Sequence, residues 1–130
     1  MRYFAYGSNL SRQQMKQRCP DSRPLFTATL PNYKLAITGF SRQWRGGTAT
    51  LIRSNGDKVR GGVYELSEAD LRKLDRFEAG YARQNVNVFD EDGTAHEVVT
   101  YLKTGQQEPS RPSPAYGEVI RRGYRDWSIV

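Results

Sequence analysis

Apolar and polar positions alternate in short runs along most of the chain, and a helical spacing replaces the alternation in only three places. Residues 2–6 read as a strand that ends in Gly7-Ser8-Asn9, and residues 11–18 as a short helix stopped before Pro20. From 24 to 52, Thr, Leu, Ile, Ala, Tyr and Phe dominate, with breaks at Pro31-Asn32 and Gly46-Gly47. This pattern predicts two or three strands. Asn55-Gly56-Asp57 reads as a turn, with a strand returning over 59–66. Ser67 caps a second helix that runs to about Glu78, and Gly80 stops it. Residues 81–89 and 94–102 form a hairpin around Asp90-Glu91-Asp92-Gly93. Ser113-Pro114 opens the last helix, with proline in the first turn where its missing N–H costs nothing. Many short strands and few short helices predict an α+β fold: one domain over 1–130, built on a mostly antiparallel, barrel-like sheet.

Composition agrees with a folded domain. The chain has 130 residues, 37% hydrophobic and 12% aromatic, which is enough core material for one domain and too much for a disordered chain. No apolar run approaches the ~20 residues of a membrane span, and the N-terminus carries no signal-like apolar stretch, so a cytoplasmic protein is expected. One cysteine, Cys19, rules out an internal disulfide, and with a single histidine, His96, no zinc-type metal site is expected. Cys19 lies at a helix end and His96 in a strand, so both read as ordinary surface or packing residues. The net charge is +6, but the arginines are scattered and only Arg121, Arg122 and Arg125 cluster. A basic solvated surface explains that better than nucleic-acid binding.

Three groups of residues carry candidate chemistry. Leu71 and Leu74 mark the apolar stripe of the second helix, and Glu78 projects between them, next to Phe77. Burial there and the negative end of the helix dipole both raise a carboxyl pKa, which suits a general acid/base. Exposure to water, or an ion pair with Arg83, is the competing reading. Asp75 faces further round, towards solvent. Tyr6-Gly7-Ser8-Asn9 leaves N–H groups free at a strand-to-helix turn, a geometry suited to an anion. Asn9 or Ser11 as a plain helix cap is the alternative there. In Pro112-Ser113-Pro114-Ala115-Tyr116, two prolines aim a phenol that either closes a pocket or simply packs.

These segments, together with Tyr3-Phe4-Ala5-Tyr6-Gly7-Ser8-Asn9-Leu10, Trp44-Arg45-Gly46-Gly47-Thr48-Ala49-Thr50, Gly61-Gly62-Val63-Tyr64 and Leu74-Asp75-Arg76-Phe77-Glu78, resemble the gamma-glutamylcyclotransferase family in the same order. The resemblance runs from residue 2 to about 123. It implies a small mixed fold with a barrel-like sheet, and a reaction that turns a gamma-glutamyl amino acid into 5-oxoproline and a free amino acid without a cofactor. It implies Glu78 as the catalytic glutamate. It also implies Tyr3, Phe4, Ala5, Tyr6, Gly7, Ser8 and Tyr116 as substrate-binding residues. The expected partner is a small gamma-glutamyl substrate, with no metal, membrane or nucleic acid, and a homodimer is left open. Two features depart from many relatives: Ala79 stands between the glutamate and Gly80, and the chain ends at Val130. A gamma-glutamylamine or gamma-glutamyl natural product as substrate, or a non-catalytic basic binding module, stay as alternatives. The loop over 103–113 is a candidate cover for the pocket.

Overall fold

The computed structural model describes residues 1–129. Its frame is a long ribbon of two strands, β2 (Arg23–Ser41) and β3 (Gly46–Glu65), paired antiparallel from Arg23↔Glu65 to Ser41↔Gly46. β1 (Arg2–Ala5) adds to the far end of β3, where Arg2 faces Glu65 and Ala5 faces Gly62. β4 (Tyr81–Phe89) and β5 (Ala95–Lys103) form the second hairpin. Bridges Thr29↔Phe89 and Tyr3↔Val99 close the sheet into a barrel of order β1-β3-β2-β4-β5, antiparallel except between β1 and β5. The expected barrel-like sheet is therefore present.

The strand count differs from the expectation. Pro31-Asn32 does not end a strand. It forms a bulge, with Asn32 at φ +66°, opposite residues 54–57, and Gly56 N–H donates to Asn32 Oδ1 at 3.2 Å. A bulge needs no ladder hydrogen bond from the proline, so one strand bends through it and supplies barrel curvature. The turn between β2 and β3 lies at residues 42–45, with Arg45 at φ +59°, and Gly46-Gly47 already belong to β3.

Three helices flank the barrel: α1 (Arg12–Arg18), α2 (Glu68–Phe77) and α3 (Pro114–Asp126). Each begins with a serine, Ser11, Ser67 or Ser113, whose hydroxyl accepts the N–H of the third helical residue. Ser11 is thus the cap that the sequence left undecided, which frees Asn9 for other work. None of the helices among the described residues is long and apolar enough to cross a membrane.

Strand alternation sorts the apolar side chains into two layers. Phe4 and Tyr6 point into the barrel with Leu30, Val63 and Val88. Tyr3 and Ala5 point outwards and pack with Leu10, Met15, Leu71, Leu74 and Trp127 from the helical side. The layers meet closely because glycines stand where no Cβ fits. A Cβ on Gly62 would lie 2.5 Å from the Trp127 ring, one on Gly61 2.7 Å from the Phe4 ring, and one on Gly123 2.5 Å from Leu10 Cβ.

Gly62→Ala therefore overpacks a closed interface and should cost about 1–3 kcal/mol, a Tm loss of roughly 4–12 °C by calorimetry. Gly117→Ala has the opposite sign. Its Cβ meets only the flexible Arg121 guanidinium at 3.4 Å, so the helix gains up to about 1 kcal/mol. Equal effects from the two changes would refute this account of the glycines.

Candidate active site

One end of the barrel opens into a cavity of about 220 Å³, and each of the five strands and three α-helices supplies a residue to its wall. The end of β1 and the 3₁₀ turn Ser8–Leu10 supply Tyr3, Tyr6, Gly7, Ser8 and Asn9. Arg18 comes from the last turn of α1, Glu78 from the C-cap of α2, and Tyr81 and Lys103 from β4 and β5. Thr48 and Ala49 of β3 and Tyr116 of α3 form the floor, and Phe40, Trp44 and Phe77 stand at the rim.

Glu78 points into this space. Its side chain is 13% exposed, and Oε1 accepts from Asn9 Nδ2 at 2.9 Å and lies 4.0 Å from Arg18 Nη1. Burial pushes its carboxyl above the ordinary range, while the Arg18 charge and the Asn9 bond pull part of the way back. The competing ion pair does not form, because Arg83 binds Asp75, which also accepts from Tyr101 Oη. The stripe of Leu71 and Leu74 turns the end of α2 inwards, and Gly80 at φ +86° lets the chain leave towards β4.

Asn9 holds the carboxylate in place. Its amide nitrogen donates to Glu78 and to Tyr3 Oη at 3.0 Å. Its side-chain oxygen accepts from Gln14 Nε2 at 3.0 Å and from Arg18 Nη1 at 3.1 Å. A guanidinium only donates, so this orientation of the amide follows from its neighbours. Neither this role of Asn9 nor the place of Arg18 was read from the sequence. A usable signal existed: Gln14 and Arg18 are four residues apart on α1, so both face the turn that precedes it.

Gly7 and Ser8 behave as a strand-to-helix turn should, and among the described residues their N–H groups have no protein acceptor. Gly7 leaves room, since a Cβ there would sit 3.2 Å from Ala49 Cβ and 3.6 Å from Tyr116 Oη. Tyr116 is buried, its phenol pushed up to about 12 mainly by that burial, and its oxygen accepts from Ala49 N–H at 2.9 Å. The phenol proton is thereby left to donate elsewhere. Tyr81 Oη donates to Ala49 O at 2.5 Å and braces the same strand.

Of the residues singled out in the sequence, Tyr3, Tyr6, Gly7, Ser8, Glu78 and Tyr116 meet at the cavity. Phe4 and Ala5 do not. Phe4 is sealed inside the barrel and Ala5 lies against the helical layer, so both support the motif as core residues. Cys19 and His96 have structural partners. The buried Cys19 thiol donates to Asp70 O at 3.4 Å and is pushed up to about 11, and His96 bridges Arg2 and Asp90. The 103–113 loop is stitched to the ribbon: Gly39 N–H donates to Glu108 O, Ser110 N–H to Ile37 O, and Gly47 N–H to Arg111 O. Among the described residues, no three His, Cys, Asp or Glu side chains converge as metal ligands.

Comparison with known proteins agrees with this geometry. Residues 3–125 match the family model described as gamma-glutamyl cyclotransferase, AIG2-like. Human gamma-glutamylcyclotransferase is 33% identical over 95% of this chain and 70% of its own length. A solved structure of a gamma-glutamyl cyclotransferase superposes with a TM-score of 0.94 at 32% identity, covering 98% of this chain and 80% of that one. Bacillus subtilis YkqA superposes with a TM-score of 0.82 at 25% identity, covering 98% of this chain and 49% of that one.

The raised pKa of Glu78 has a consequence for stability. A carboxyl whose folded pKa exceeds its unfolded value of about 4.3 favours folding fully below that value and loses the benefit as pH rises through the folded one. Glu78→Gln never ionises, so it should melt above wild type at neutral pH, and the gap should close as pH falls towards 4. Calorimetry across about pH 4–8 checks this. A gap that does not change with pH would show that Glu78 is not desolvated.

Proposed function

The chain belongs to the gamma-glutamyl cyclotransferase, AIG2-like family and is an enzyme of the gamma-glutamylcyclotransferase type; we propose that Glu78 is its general acid/base and that it releases 5-oxoproline from a small gamma-glutamyl compound. One observation carries this reading: a desolvated carboxylate faces a cavity whose wall includes Gly7 and Ser8, residues whose N–H groups have no protein acceptor among the described residues.

The glutamyl α-amine reaches the enzyme as an ammonium and is not yet a nucleophile. Glu78 accepts one of its protons, and the freed amine attacks the γ-carbonyl carbon of its own chain to close a five-membered ring. The tetrahedral centre then collapses. Protonated Glu78 gives its proton to the departing nitrogen, the C–N bond breaks, and the carboxylate takes the extra proton from the ring nitrogen and passes it to the released amine, which leaves as an ammonium with Glu78 ionised again. Because the attack is intramolecular, the protein's task is to hold the chain folded and to manage protons.

The polar groups divide this work. The N–H groups of Gly7 and Ser8 suit the glutamyl α-carboxylate, and the spare Tyr116 proton suits the oxyanion that develops on the γ-carbonyl. Asn9 and Arg18 keep Glu78 oriented and limit the rise of its pKa.

Incubation with gamma-glutamyl dipeptides and gamma-glutamylamines, followed by mass spectrometry for 5-oxoproline, tests the reading. Glu78→Gln should fold and lose about 10²–10⁴-fold in turnover, the usual range for a positioned acid/base. Retention of most activity would remove Glu78 from the mechanism. In the wild-type pH profile the acid limb should lie above the ordinary carboxylate range. Arg18→Met, which removes a charge that lowers this pKa, should move the limb to higher pH.

A further inference from the structure

Three large rings meet water at the mouth of the cavity. Phe40 is 72% exposed, more than any other large apolar side chain among the described residues, Phe77 is 50% exposed, and Trp44 is partly buried. A lone exposed ring is ordinary on a protein surface, but three that line one opening form a patch. They come from two parts of the fold. Phe77 ends α2, directly before Glu78, and the Arg18 guanidinium lies 4.8 Å from the centre of its ring. Phe40 and Trp44 stand at the turn between β2 and β3, and the Trp44 ring meets the Tyr116 ring edge-on, 5.0 Å between centres. The rings are thus attached to groups of the chemistry: Phe77 to Glu78 along the chain, and Trp44 to Tyr116 by packing.

That attachment decides which part of a substrate the rings can touch. In the cyclotransferase reading above, on which this inference rests, the bond that breaks lies between Glu78 and Tyr116, and the glutamyl carboxylate is held at the Gly7-Ser8 turn. The departing nitrogen then faces the opening, and whatever it carries leaves the polar interior past Phe77 and Trp44, with Phe40 beyond them. We propose that these three rings form a subsite for an aromatic substituent on the departing amine, so that gamma-glutamyl compounds whose amine bears a phenyl-type ring are preferred over those whose amine bears a small group. A ring brings a large apolar area with few rotatable bonds, and it gains edge-to-face contacts with other rings that an alkyl group does not. The cation–π contact of Arg18 holds the Phe77 ring in place, so part of the subsite is formed before the substrate arrives. The subsite reads the side group alone, whether or not the amine also carries a carboxylate.

Gamma-glutamyl-phenylalanine and gamma-glutamyl-alanine differ only in a phenyl group, as do gamma-glutamyl-phenethylamine and gamma-glutamyl-ethylamine. Within each pair the kcat/KM ratio isolates the ring. In wild type both ratios should favour the aromatic member by roughly ten-fold, the low end for apolar discrimination because the subsite is half open. Phe40→Ser changes an exposed position on which folding does not depend, and should cut both ratios several-fold; Phe40→Tyr, which keeps a ring, should restore them. A wild-type ratio at or below one, or a Phe40→Ser effect equal on both members of a pair, overturns the proposal. Calorimetric titration of the same compounds into Glu78→Gln, with and without Phe40→Ser, reads the contribution of the ring without turnover. If wild type cyclises none of them, the reaction assignment fails, while ring-dependent binding lost in Phe40→Ser still supports the subsite; binding that ignores the ring overturns it. Rings that instead seat a second copy of the chain predict that Phe40→Ser halves the mass in sedimentation and leaves both ratios unchanged, which also overturns it.

Discussion

The side-chain amide of Asn9 is the point on which the site depends. It is almost fully buried, and all four of its hydrogen-bonding positions are used by side chains from β1, α1 and the end of α2. Its backbone oxygen accepts from Tyr64 Oη at 2.8 Å, and the next carbonyl, that of Leu10, accepts from Trp127 Nε1 at 2.8 Å. A three-residue turn is thus tied to strands β1 and β3, to helices α1 and α2, and to the residue that caps α3. In a low-dielectric setting such a network is stable only when complete, because each missing partner leaves a buried polar group unpaired. The position of Glu78 is therefore set by the satisfaction of Asn9 as much as by the helix that carries it.

The motif glycines serve the same end by steric means. Gly46 and Gly47 look like a turn, yet they lie in a strand and permit residues 110–113 to cross it: a Cβ on Gly46 would approach Ser113 N to 2.6 Å, and one on Gly47 would approach Ser110 Oγ to 2.1 Å. That crossing fixes where α3 begins, and so where Tyr116 enters the cavity. Gly61 and Gly62 bring β3 against Phe4 on one face and Trp127 on the other. These glycines touch no reacting group. Their contribution is distance: they set the separation of the walls that the chemistry needs.

What the sequence made legible, and what it hid, follows the range of the interactions involved. Ser11, Ser67, Ser113 and Gly80 act within a few residues of themselves, and the helix limits read from them match the structure closely. The inward turn of Glu78 was readable for the same reason, since Leu71 and Leu74 lie on its own helix. Pro31-Asn32 misled because a bulge and a strand end place the same demands on local backbone; only the partner strand distinguishes them. Asn9 was hidden for a stronger reason. Its partners lie 5, 6, 9 and 69 residues away, and the local spacing of Gln14 and Arg18 marks only two of them. Phe4 and Ala5 lie inside a motif whose alternate positions face the core, so a contiguous stretch overstates how many residues touch the cavity.

Burial makes the charge pattern of the cavity sharper than its composition suggests. Desolvation pushes the phenols of Tyr3, Tyr6, Tyr81 and Tyr116 upwards, so they are neutral donors throughout the working range. The same effect acts on Glu78 but is checked by Arg18 and Asn9. Among the groups that line the cavity, the result is one carboxyl poised to exchange protons among hydroxyls that do not. In the mechanism proposed above, Glu78 is the acceptor for a proton of the substrate ammonium and the acid offered to the departing nitrogen. On that proposal one carboxyl, beside the cations Arg18 and Lys103, serves each proton transfer without a second catalytic side chain.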